Sequence, residues 1–427
     1  MSNQITQAIL PNGLKVFLKE IHTSPIISHW VWYRVGSRYE SAGKTGISHW
    51  VEHMQFKGTP RFPPGSLDHA ISRDGGFWNA FTHLDWTTYL ETMPAEKISL
   101  ALDLEVDRMH NSIYTTEEVN SERSVIISER EGSENEPLFQ LDEAVQSAAF
   151  EKHPYRNEVL GSIQDLHAIQ RDDLYAHYKH HYNPANAVVA IAGDFNTKQM
   201  LQEVTARYAD LPGRQVDAPV YDESPLKSEK RVEVKGQGTT TYLQLSYRAP
   251  AGNNPDFFPF TILDSLITGP TSLNMFGGGG ISNKTSRLYR KLVEAEYAIS
   301  VNGSLQATFD PFLYSIVITV HPKRTADEVL KIVDEEIQTL LDGPVSQAEI
   351  DRASKQARAL FAYGSENITN QAFWLGYSEM FADYSWFLTY VEKLSQVKPE
   401  SLLSCAQKYM GSKNRVVGTY IPDGAKQ

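Results

Sequence analysis

At 427 residues, with 41% apolar and 22% charged side chains, the chain has an ordinary globular composition and a length that predicts two domains. Its 40 basic and 52 acidic residues leave a net charge of −12, which excludes a general binder of nucleic acid or anionic membranes. Cys405 is the only cysteine, so no intrachain disulfide can form, and no run of about 18 apolar residues is present to span a bilayer.

The first seven residues carry neither a basic segment nor an apolar stretch, so the expected location is cytoplasmic, with the periplasm as the alternative. Residues 28–34 read as an alternating strand. Next comes Gly46-Ile47-Ser48-His49-Trp50-Val51-Glu52-His53-Met54-Gln55-Phe56-Lys57-Gly58-Thr59. Ile47, Trp50, Val51 and Met54 recur at i, i+3, i+4 and i+7, the apolar stripe of a half-buried helix, with Thr45 as its N-cap and Gly58 as its stop. His49 and His53 then fall one turn apart on the adjacent stripe. That spacing lets both imidazoles reach one ion at about 2.0–2.1 Å. Glu52 directly precedes His53, so its carboxylate projects beside the ion and can act as a base on water. The order His-x-x-Glu-His reverses the familiar His-Glu-x-x-His of zinc proteases.

A catalytic zinc keeps three protein ligands and one open position, so a third donor is needed. Residues 87–94 read as a strand leading into a helix over 96–109, and a second helix opens at Thr115 or Thr116. Glu117 and Glu118 suit the positive end of its dipole. On it Glu122, Ile126 and Glu129 share one face, but spacing alone does not choose among Glu122, Glu129 and Glu131.

The two halves echo each other at an offset of roughly 230 residues. Strand 28–34 is answered by 241–248, strand 87–94 by 312–322, helix 96–109 by 325–341, and strand 186–193 by 414–421. Hairpin-like strand pairs predict an α+β fold of two domains related by duplication, each a mostly antiparallel sheet packed with helices. The expected division is 1–212 for a zinc-binding domain, 213–230 for a linker, and 231–427 for a homologous domain without metal. Around Asp264 to Gly280, the counterpart of the histidine motif, there is no histidine, so one metal site per chain is expected.

Residues 46–59, followed by Glu122-Arg123-Ser124-Val125-Ile126-Ile127-Ser128-Glu129, resemble the pitrilysin/insulinase-type zinc metallopeptidases. The nearest branch is the half-length one that includes mitochondrial processing peptidase. The resemblance spans nearly the whole chain. It implies Zn²⁺ held by His49, His53 and Glu129, with Glu52 as the catalytic base. It also implies Glu122 as the carboxylate that orients a ligand histidine. A further family feature, Asn79-Ala80-Phe81-Thr82-His83-Leu84-Asp85, implies that the strand at Asn79 and Ala80 binds the substrate as an added β-strand. The implied activity is endopeptidase cleavage of peptides or unfolded segments inside an enclosed chamber.

Many members of that family carry an arginine, and seven residues later a tyrosine, that hold the substrate and stabilise the oxyanion. Here Val293 takes the arginine position, Ile299 or Ser300 falls near that of the tyrosine, and Tyr297 is displaced. The expected partner is therefore a homologous metal-free subunit that supplies the missing pair, in a heterodimer. Residues 277–280, four glycines, lack the lysine and hydroxyl of a phosphate loop and resemble a substrate loop of the processing peptidase's non-catalytic subunit. The alternative is a non-catalytic core subunit of a larger complex, whose signature would be a broken metal motif. A zinc lyase on a similar motif would be far shorter and unduplicated.

Overall fold

The computed structural model describes residues 5–274 and 281–424. The glycines at 277–280 lie outside them. Strands run as β1 Ile5–Ile9, β2 Lys15–Glu20, β3 Ile26–Tyr33, β4 Phe77–Thr82, β5 Thr87–Pro94, β6 Ala187–Gly193, β7 Lys230–Gly236, β8 Tyr242–Arg248, β9 Ala298–Leu305, β10 Leu313–Val320 and β11 Arg415–Pro422. They form two sheets, ordered β1-β2-β6-β3-β5-β4 and β7-β11-β8-β10-β9. The parallel pair β2–β6 is matched by β7–β11, and the antiparallel run β6-β3-β5-β4 by β11-β8-β10-β9. One plan is thus used twice, with β1 added to the first copy. The fold is α+β and duplicated, as the repeats in the sequence predict.

The chain forms two compact units whose segments alternate along the sequence. The first takes Glu366–Tyr384 in addition to Asn157–Val220 and the chain up to Glu131; the second takes Gly132–Arg156, Tyr221–Ser365 and the chain from Ser385. Each unit therefore includes a helix drawn from the other half of the sequence. In the first, helix Ile368–Phe381 lies on β2, β3 and β6. Its close approach depends on Gly376, where an added Cβ would stand 2.1 Å from Trp32 Nε1. In the second, helix Pro137–Ala149 lies on β7, β8 and β11, over Gly418, whose Cβ would meet Val145 Cγ2 at 2.4 Å.

This packing corrects the alternating reading of residues 28–34. Strand β3 is covered on both faces and presents no solvent side. Trp30 and Trp32 stack at 5.5 Å and meet Phe373 of the overlying helix at 5.6 and 5.5 Å. On the opposite face, Val31 and Tyr33 join a core with Trp50, Val51, Met54 and Ile126. The helices carrying the metal motif and its downstream glutamates are thereby packed into the core of the first unit. Residues 211–229 form neither helix nor strand. Among the described residues no helix is long and apolar enough to cross a membrane. Cys405 is buried in helix Pro399–Tyr409.

Candidate metal centre

The motif helix spans Ile47–Met54, and its start differs from the expected one. Thr45 does not cap it. The Thr45 hydroxyl donates to Asp165 Oδ2 at 2.6 Å instead. Gly46 occupies the cap position in the left-handed region, at φ 85°, where an L side chain would be strained. The carboxylate of Glu40 does the capping, accepting the Gly46 N–H at 2.8 Å and the Ser48 N–H at 2.9 Å. The helix ends at Met54, before Gly58, which turns the chain at φ 91°. The downstream glutamates sit on helix Thr116–Glu134, where the Thr115 hydroxyl accepts the Glu118 N–H as expected of a cap. Arg123 joins the two helices, stacking 4.7 Å over the Trp50 ring and donating to the carbonyl of Ile169 at 2.8 Å.

His49, His53 and Glu129 converge. His49 Nε2 lies 3.9 Å from Glu129 Oε1, and His53 Nε2 lies 3.6 Å from Glu129 Oε2. Two donors about 2.0–2.2 Å from a tetrahedral zinc stand about 3.3–3.6 Å apart, so the opening is close to the size the ion needs. Among the described residues this is the one group of three or more such side chains whose donor atoms lie within 4.8 Å of one another. The donor set, two imidazoles and a carboxylate, is chemically suited to Zn²⁺. Burial pushes the His49 imidazole down to about 3, so it is neutral at neutral pH, the form a ligand needs. For His53 burial acts downward, but the hydrogen bond to Glu122 and the carboxylates of Glu52, Glu122 and Glu129 outweigh it and raise the group.

The remaining glutamates divide by geometry. Glu122 is buried, and its Oε1 takes the His53 Nδ1–H at 2.8 Å while the Lys57 ammonium pairs with its other oxygen. Glu122 thus bridges the ring of His53 and the side chain of Lys57. Lys57, which sequence reading did not single out, closes that chain of contacts. Glu52 is 7% exposed, and its Oε2 accepts a hydrogen bond of 2.6 Å from the Thr82 hydroxyl. Burial, partly offset by Thr82 and His53, pushes the Glu52 carboxyl up to about 7. Thr82 lay in the Asn-Ala-x-Thr pattern, and its last position was the available signal.

Asn79 and Ala80 lie in β4, the outer strand of its sheet, paired to β5 alone. The strand ends at Thr82, so His83 to Asp85 form a turn rather than a continuation. The Ala80 N–H is donated to Asn79 Oδ1 at 2.9 Å. In the second unit, Val293 ends a π-helical turn, Tyr289–Val293, and Tyr297 lies 4.1 Å beneath the Arg324 guanidinium. Ile299 is exposed on β9, and the Ser300 hydroxyl donates to Thr319 Oγ1 at 2.8 Å. Other histidines have structural partners: His153 meets Asp310 Oδ2 at 3.0 Å, His177 meets Ser48 Oγ at 3.2 Å, and His83 stacks on Trp86.

The chain is similar to known proteins over most of its length. The family model described as insulinase (peptidase family M16) matches residues 15–162, and the one described as peptidase M16 inactive domain matches 168–357. An uncharacterized zinc protease of Mycobacterium leprae is 26% identical over 423 residues, covering 97% of this chain and 92% of the relative. Zinc protease PqqE of Helicobacter pylori is 26% identical, with 94% of this chain and 89% of that protein covered. A probable mitochondrial-processing peptidase subunit beta of Arabidopsis thaliana is 26% identical over 82% of this chain and 65% of its own length. The fold recurs in the crystal structure of a protease from Helicobacter pylori, with a TM-score of 0.90 at 23% identity, covering 99% of this chain and 100% of that one. With both halves matched by the two halves of one family, the chain belongs to the insulinase-type zinc metallopeptidases, family M16.

Proposed function

We propose that this chain is a zinc-dependent endopeptidase acting on peptides and unfolded segments, and that it is the metal-bearing subunit of a heterodimer. The observation that carries the reading is the convergence of His49, His53 and Glu129 beside the buried carboxylate of Glu52. In this reading those three residues hold one Zn²⁺ per chain, and Glu122 orients His53. Bound there, the ion would supply a Lewis acid for the scissile carbonyl and bring the pKa of water toward about 7.

Glu52 then takes the proton of the attacking water and delivers it to the nitrogen of the leaving amine. Burial raises the Glu52 carboxyl above its usual range, and a dication beside it would favour the charged, basic form. The outer strand β4 receives the substrate as an added strand at Asn79 and Ala80. The Ala80 N–H exchanges its bond to Asn79 Oδ1 for one to a substrate carbonyl. Main-chain pairing requires an extended substrate, which defines unfolded segments as the substrate class. The relatives named as zinc proteases support the activity.

The heterodimer follows from the second half. Val293 and Ile299 carry no side-chain donor, and the Ser300 hydroxyl spends its proton on Thr319 Oγ1. Each oxyanion donor is worth about 2.7–4 kcal/mol, so the chain alone should turn over about 10²–10³-fold slower per missing donor. A metal-free homologue carrying that pair restores the rate. A relative named as one subunit of a processing peptidase fits a paired assembly. The intact metal motif speaks against a purely structural subunit.

The test is Glu52→Gln in the zinc-loaded protein, assayed on fluorogenic peptides with and without a co-encoded homologue. Zinc content should stay at one per chain while turnover falls by at least about 100-fold. Normal turnover by the variant would remove Glu52 as the base. Absence of hydrolysis by wild type with zinc and partner would remove the peptidase reading.

A further inference from the structure

Among the described residues, the hydrogen bond to the Glu52 carboxylate comes from the far end of β4. The Thr82 hydroxyl lies 2.6 Å from Glu52 Oε2, and 3.2 Å from the hydroxyl of Thr87. Thr82 and Thr87 are opposite one another, the last residue of β4 and the first of β5. The direction of these bonds follows from counting protons. Thr87 spends its single proton on the carbonyl of Val35, at 2.9 Å. Thr82 also has one proton, and an ionised carboxylate can only accept. The Thr82 proton therefore goes to Glu52, the shorter and charge-assisted of its two contacts, and with the Thr87 proton on Val35 the 3.2 Å approach of the two threonine oxygens carries no hydrogen bond.

We infer that Thr82 is the positioning residue of this site: its hydroxyl pins one oxygen of Glu52, leaving the other to face the attacking water, and so ties the base to the strand that receives the substrate. The inference rests on the peptidase reading and assigns the residue that holds its base. Thr82 is outside the His49, His53 and Glu129 group and acts through Glu52; it stands three residues from Asn79 in the same strand, so the strand proposed to bind the substrate also sets the position of the base. The placement gives the Glu52 carboxylate a fixed contact on the neighbouring strand. A carboxylate free to turn about its side-chain bonds would spend most of its time out of line, and misplacement of a reacting group by about 1 Å costs about 100-fold in rate.

Thr82→Val keeps the volume and β-branching of threonine and removes the hydroxyl; Thr82→Ser keeps the hydroxyl. In zinc-loaded protein assayed with its partner on one fluorogenic peptide, the valine variant should lose about 10–100-fold in kcat with KM within about twofold of wild type. The serine variant should recover most of that loss. Zinc affinity, read by competition with a chromophoric chelator, should be the same in all three. In crystals of the zinc-loaded valine variant the Glu52 carboxylate should leave its wild-type position or split between two. Wild-type kcat in the valine variant, a loss confined to KM, or no recovery in the serine variant would overturn the inference. So would an unmoved Glu52 carboxylate in the valine crystals. That crystallographic readout decides the matter even where wild type hydrolyses no peptide, an outcome that counts against the peptidase reading instead.

Discussion

Glu122 gives the sharpest energetic prediction. It is 4% exposed, and one oxygen holds His53 Nδ1 at 2.8 Å while the other holds the Lys57 ammonium. Glu122→Ala would strand two donors at once: an imidazole N–H that no longer fixes the ring, and an ammonium stripped of its counter-ion. Removing such an orienting partner typically costs 10–100-fold in metal affinity, about 1.4–2.7 kcal/mol at about 1.36 kcal/mol per tenfold. The alanine variant belongs at the upper end because both contacts go. Glu122→Gln belongs at the lower end, since its amide oxygen still accepts from His53 and only the Lys57 pair is lost. Zinc affinity would be measured at pH 7 by competition with a chromophoric chelator, with circular dichroism confirming the fold. A folded Glu122→Ala protein that binds zinc as tightly as wild type would refute the reasoning.

Three further outcomes are expected. Gly46→Ala should destabilise the zinc-free protein by more than about 1–2 kcal/mol in urea unfolding, because its left-handed backbone disfavours a side chain and the new Cβ would lie 2.5 Å from the Leu160 carbonyl oxygen; an unshifted midpoint would contradict this. Burial pushes Glu40 up to about 7 from 4.5, so the folded protein retains a proton that the unfolded chain releases. Its contribution to stability is then fullest below pH 4.5 and is lost as pH rises through about 7. Glu40→Gln should flatten that part of the stability curve of the zinc-free protein between about pH 5 and 8, and superimposable curves would count against the assignment. Chelation should abolish peptide turnover and zinc should restore it, whereas full activity of the purified chain without a homologue would contradict the heterodimer.

The strands and the motif helix were readable because their signals are local. His49 and His53 are one turn apart whatever the rest of the chain does, and repeats such as 87–94 and 312–322 carry their own apolar patterns. What escaped the sequence depends on distant partners. Thr45 looked like a cap, yet the first turn is held by Glu40, whose reach depends on a turn that leaves no periodic trace. Trp30 and Trp32 looked like one side of a half-buried strand because the helix covering them comes from more than 300 residues away. Spacing could not choose among Glu122, Glu129 and Glu131 on one helix. In the fold Glu122 is buried against His53 Nδ1 and Lys57, and it is Glu129 that faces both Nε2 atoms. The buried network of His29, Glu91, Glu105 and Arg108 went unnoticed for the same reason, since its members come from two strands and a helix with no shared motif.

The most direct test of the central claim is anomalous diffraction at the zinc absorption edge from crystals of the zinc-loaded protein. One peak per chain, ringed by the Nε2 atoms of His49 and His53 and a carboxylate oxygen of Glu129, is the predicted result. A peak elsewhere, or a site at which Glu129 has turned away with no carboxylate in its stead, would contradict it.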